Sequence, residues 1–201
     1  MKNNVVALAA GLIVAGIPAA QSHNTMTAYY APAGFMQDLE LRVTHGCKGS
    51  PVKEVRLKIP DGMVRVSAEY NRDWTIEMKM RKLAKPVPGD GGNMLTETVD
   101  EIIWKNPGSN LPGSGRFEGF RFRGLIPETV GKIIFFRSVN VCETGEERYV
   151  DLPTEPLDAK TAALPEKLLK FMTATGTPSA FMIIEKPTRP QYPFATPGSK
   201  K

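Results

Sequence analysis

Leu39-Glu40-Leu41-Arg42-Val43-Thr44 alternates apolar and polar side chains one for one. A period of two is that of an extended chain, whose successive residues point to opposite faces of a sheet. The beat returns along the chain. Val55, Leu57 and Ile59 alternate with Arg56 and Lys58; Trp74, Ile76, Met78 and Met80 with Thr75, Glu77, Lys79 and Arg81; Phe120 and Phe122 with Arg121 and Arg123. Each run reads as a strand with one packed and one wet face. Turn chemistry separates the runs at Pro60-Asp61-Gly62, at residues 84–93, at Pro107 to Gly115 and at Glu143-Thr144-Gly145-Glu146. Val64 and Val66, Thr98 to Trp104, and Arg148 to Leu152 supply further strands. Lys132 to Val141 reads as one central strand with Cys142 at its far end. Roughly seven to nine short strands with no long helical pattern predict an all-β chain folded as an antiparallel β-sandwich.

After Pro153 the texture changes. Asp158 to Phe171 has Leu164, Leu168 and Phe171 at helical spacing behind Pro165, which predicts a short helix. Phe181 to Ile184 predicts an added edge strand, and residues 187–201, rich in Pro, Ser and Gly, are expected to be disordered. The expected organisation is therefore a sandwich over 23–153 and an irregular C-terminal extension over 154–201, partly disordered.

Residues 1–22 complete this division. Lys2, the apolar run Val5 to Ile17 and the small residues up to Ser22 follow the order of a secretory signal peptide. A periplasmic, exported product is expected. Cleavage after Ser22 leaves His23 first, and a free α-amine with Nδ1 of the same imidazole closes a six-membered ring on Cu(II). Cleavage after Ala20 would instead place the histidine third, but Pro18 at −3 disfavours it. A solvated terminal histidine remains the plain alternative.

The formal charge of +5 comes from cations interspersed with acids, which lacks the clustered footprint of a nucleic-acid binder. Nothing after Ile17 approaches the roughly 18 consecutive apolar residues of a membrane helix, so no membrane span is expected after signal cleavage. Two cysteines, Cys47 and Cys142, in an oxidising compartment predict a bridge stapling the two sheets, with paired thiolate metal ligands as the alternative. The Trp74-Ile76-Met78-Met80 stripe invites a thioether Cu(I) site. It is read as core, because methionine fills irregular gaps.

The order of short motifs adds a resemblance. His23, Ala31-Pro32-Ala33-Gly34, His45-Gly46-Cys47-Lys48-Gly49-Ser50-Pro51, Ile59-Pro60-Asp61-Gly62, Asp73-Trp74, Ile103-Trp104, Phe120-x-Phe122 and Cys142 together resemble the YcnI-like family of exported copper-binding domains, over roughly residues 23–153. The resemblance implies an immunoglobulin-like sandwich with one inter-sheet disulfide, Cys47 to Cys142. It implies Cu(II) bound by the amine and imidazole of His23, and a role in copper trafficking or homeostasis beside copper chaperone or importer proteins. Two positions depart from the family. Tyr30 stands where relatives carry an acid, and Tyr149 where they carry a tryptophan beside the metal. No Asp or Glu lies between Asn24 and Gln37, so oxygen ligands must come from elsewhere in the fold. His45 is expected to hydrogen-bond beside the bridge rather than to ligate copper.

Two other functions compete. One is an immunoglobulin-like assembly or adhesion module with no metal role. The other is a copper oxygenase, which needs a second histidine facing the first, and only His45 is left. Two histidines and no GxSxG elbow assemble no hydrolytic triad; no enzymatic activity is expected.

Overall fold

The alternating segments all become strands. The computed structural model describes residues 23–111 and 116–191; the expected signal peptide, the tip of the 107–115 loop and the tail from 192 lie outside the described residues. The strands are β1 (Thr25–Met26), β2 (Tyr30–Pro32), β3 (Met36–Val43), β4 (Val52–Lys58), β5 (Val64–Ala68), β6 (Thr75–Pro88), β7 (Met94–Lys105), β8 (Glu118–Leu125), β9 (Ile133–Phe136), β10 (Ser138–Cys142), β11 (Glu146–Tyr149) and β12 (Ala180–Glu185). One helix, α1, spans Leu164–Ala174 with a proline in its first turn.

Three sheets form, ordered β1-β3-β8-β5, β11-β10-β4-β7-β6 and β2-β12-β9. The first two stack. Leu39, Leu41 and Val43 of β3 and Phe120 and Phe122 of β8 bury their side chains against Val55 and Leu57 of β4 and Ile102 and Trp104 of β7. Phe120 is the hub, its ring 4.9 Å from Trp74, edge-on, and 5.3 Å from Trp104. Each such side chain stabilises the fold by about 1.5–3 kcal/mol on burial. Pro60-Asp61-Gly62 turns the chain from β4 to β5, and Gly62 sits at φ 86°, a conformation glycine adopts without a Cβ penalty.

Cys47 and Cys142 form the disulfide, with Cα atoms 6.0 Å apart. The bridge fastens the connection leaving β3, in the first sheet, to the end of β10, in the second. The thiolate alternative is thereby excluded.

Four sequence expectations change. The single strand expected over Lys132 to Val141 is two: the chain breaks at Arg137, leaving β9 with β12 and β10 between β11 and β4. The first half of the loop expected over 84–93 is strand, because β6 runs on to Pro88 opposite Met94, and only residues 89–93 turn. The strand expected at a sheet edge near the C-terminus, β12, is central, parallel to β2 and antiparallel to β9. Its Met182 and Ile184 enter the main core, while Phe181 and Ile183 pack with Leu168 under α1. Lastly, Met78 and Met80 are not core: they are 46% and 50% exposed. β6 ends its sheet, and the facing sheet does not extend over them.

Candidate metal centre at the amino-terminal histidine

His23 lies two residues ahead of β1, and Asn24 between them fixes its place. Asn24 is buried, and its Nδ2 donates to Ser138 Oγ and to Asn140 Oδ1, each at 2.9 Å; Asn140 Nδ2 donates back to Asn24 Oδ1 at 3.2 Å. A polar clamp thus ties the segment to β10, while Met26 enters the core and β1 pairs with β3. Sequence reasoning missed Asn24; a lone asparagine carries no local pattern, and its partners lie more than a hundred residues away.

The ring of His23 is half-buried and its two nitrogens differ. Nδ1 is buried with no hydrogen-bond partner, while the ring hydrogen-bonds the backbone of Met172 in α1. Burial lowers the imidazole pKa below its ordinary value, the Met172 bond opposes this, and nearby His45 lowers it further. The neutral, metal-binding form is favoured.

Tyr149 walls the site. Its ring centroid is 6.2 Å from that of His23 and 6.4 Å from that of His45, edge-on to both. The buried hydroxyl donates to Glu147 Oε2 at 2.5 Å and lies 3.4 Å from His45 Nε2. Burial, and then the Glu147 hydrogen bond and charge, raise its pKa far above the usual phenol value, so it stays protonated. His45 Nδ1 donates to the Gly46 carbonyl at 2.9 Å and sits 3.6 Å from Glu147 Oε2. The disulfide holds this turn in place, with Cys47 N donating to Cys142 Sγ at 2.9 Å.

The structure therefore gathers His23, Tyr149 and His45, and adds Glu147, which the sequence reading did not name. The signal was present: residues 147 and 149 share a face of β11, so Tyr149 brings Glu147 with it. Tyr30 is placed elsewhere, 60% exposed on β2 opposite Ile183. Among the described residues no three His, Cys, Asp or Glu side chains converge as a preformed metal cage.

No functionally curated protein matches the chain. An uncharacterized protein from Nocardia farcinica with an immunoglobulin-like fold superposes with a TM-score of 0.56 at 14% identity, over 82% of this chain and 99% of that one. A putative membrane anchored protein from Corynebacterium diphtheriae gives a TM-score of 0.36 at 9% identity, over 85% of this chain and 36% of that one. The first likeness shows the immunoglobulin-like fold. Among the described residues no helix is long and apolar enough to cross a membrane. The profile of a domain of unknown function, DUF1775, matches residues 23–170, and the chain belongs to that family, which includes the YcnI-like proteins its motifs resemble.

Proposed function

We propose that this is an exported copper-binding protein of the periplasm that carries Cu(II) on His23 in copper trafficking or homeostasis. The observation behind the reading is the buried Nδ1 of His23, which has no hydrogen-bond partner. A buried ring nitrogen left unpaired keeps its lone pair for a ligand such as a metal ion. The family match begins at the same residue. After cleavage, the amine and Nδ1 of His23 would hold the ion, and amine and imidazole nitrogens suit Cu(II).

The rest of the chain orients this chelate. Asn24 anchors the backbone, Met172 sets the ring, and Tyr149 covers one side. Glu147 and His45, both held by the Tyr149 hydroxyl, are the oxygen and nitrogen groups nearest to hand for a partly filled coordination plane. Only two nitrogens are built in, so positions stay open for exchange. That suits a carrier whose cargo must be taken up and handed to a chaperone or importer, rather than an enzyme.

Two forms of the protein test the reading: one beginning at His23, the other with a single residue ahead of it. Cu(II) titration followed by electron paramagnetic resonance should show a nitrogen-ligated site in the first and a large loss of affinity in the second. Equal affinity would remove the amine, and an inert first form would leave the assembly-module reading in its place.

A further inference from the structure

The exposed methionines of β6 lie on a strand that ends the five-stranded sheet, with one edge of its backbone unpaired by any described strand. A long edge strand with apolar side chains is a template for pairing, which proteins normally blunt with charge. Here the charges fit a single partner. We propose that β6 docks on β6 of a second copy of this chain, antiparallel about a two-fold axis at Met78, joining two five-stranded sheets into one.

The register follows from the sequence of the strand. Centring the axis on Met78 sets Glu77 opposite the second copy's Lys79 and Lys79 opposite its Glu77, while Ile76 faces Met80 and Met78 faces its own copy. Both faces then continue across the junction. Inside, Leu57, Ile102 and Met78 are neighbours on adjacent strands, and the row carries on through the second copy's Met78, Ile102 and Leu57. Outside, Arg56, Ile103 and Glu77 are neighbours. They would be followed by Lys79, Glu101 and Lys58 of the second copy, alternating in sign along the crossing. Glu77 and Lys79 are about half exposed, and each already has an ion-pair partner on β7, Lys105 and Glu101 respectively, at 2.8 Å.

Neighbouring registers are worse. Moving the axis to Met80 sets Lys79 against Arg81; moving it to Ile76 pairs only Thr75 to Glu77 within the strand. Moving the axis by one residue, to Glu77 or to Lys79, sets that charge directly against its own copy, and like charges opposite each other are destabilising. Pro86 and Pro88, which cannot donate to a ladder, lie beyond the Thr75 to Arg81 window and so do not interrupt it. The surface is self-complementary, as a two-fold interface must be. The interface does not depend on copper.

Sedimentation equilibrium of the purified protein should show a concentration-dependent dimer. Lys79→Glu replaces two attractive cross-strand pairs by two repulsive ones and should weaken association about ten- to thirty-fold. The exchange Glu77→Lys with Lys79→Glu should restore it. Because both side chains are on the surface, thermal melts should confirm that each variant folds. Met78→Cys should cross-link two chains on oxidation, whereas Met94→Cys, outside the window, should not. A wild type that stays monomeric at hundreds of micromolar overturns the proposal. So does a dimer indifferent to Lys79→Glu, a charge exchange that fails to rescue, or cross-linking through position 94 instead of 78.

Discussion

Truncating the clamp, Asn24→Ala, tests whether the fold and the metal site share a support. Asn24 makes three side-chain hydrogen bonds with Ser138 and Asn140, all between buried groups. Removing it leaves the Asn140 carboxamide and the Ser138 hydroxyl without those partners, and each stranded buried group costs about 1–3 kcal/mol. A total near 3 kcal/mol follows, which for a domain of this size lowers Tm by about 6–12 °C. The same substitution frees the backbone beside His23. Loss of a supporting residue of this kind typically weakens metal binding about ten- to hundred-fold. Thermal melts with and without Cu(II), together with competition titration against a chelator, measure both effects. Asn140→Ala should be nearly as damaging, and the double variant should cost much less than the sum because the two side chains form one network. A Tm within about 2 °C of wild type would refute the clamp, since surface substitutions usually stay within ±0.5 kcal/mol. A large Tm loss with unchanged copper affinity would separate the clamp from the site.

Further outcomes follow from the same geometry. The Lys58 hydrogen bond, and then the charges of Lys58 and Arg81, hold the Asp100 carboxyl below its ordinary pKa against the opposing cost of burial. Its folded pKa is depressed, so its stabilisation is present above the unfolded value of about 3.9 and is lost as pH falls through the lower folded value. Asp100→Asn should therefore destabilise the protein at pH 7 by up to about 1 kcal/mol, a gap that closes on acidification; a gap that widens instead contradicts the ion pairing. Replacing Cys47 and Cys142 by serine frees a loop of 95 residues and should cost about 4–5 kcal/mol in the chain-entropy account, read from the urea midpoint. A chain ending at Pro153 should fail to show a cooperative melt, because it lacks β12 between β2 and β9; a native-like transition would show that the third sheet is dispensable.

Much of this molecule is written in local pattern. Alternation at Leu39 to Val43 and at Phe120 to Phe122 predicts strands and their inner faces, because a period of two is a property of the extended backbone itself. Two cysteines admit one bridge. The position of His23 relative to the small residues before it is likewise a matter of sequence. Tyr149 was legible by its place after the second cysteine, though not the carboxylate that accepts its proton donor.

Other features depend on which strands lie side by side, and no local period carries that. Met78 and Met80 have the alternation of core residues yet stay exposed, because facing inward buries a side chain only where the opposite sheet extends over it. β12 has the composition of any short apolar strand; its central place comes from chain reversal at α1 and from the switch of sheets at Arg137. The cluster of His23, His45, Glu147 and Tyr149 forms because the disulfide and the Asn24 clamp bring the β3–β4 turn, β11 and the first residues of the domain to one end of the sandwich. Sequence determined the strands and the bridge, consequences of nearest-neighbour geometry and cysteine count. Tertiary structure alone decided what surrounds His23 and which strand edge is left open, since long-range pairing is selected by the burial of the whole core.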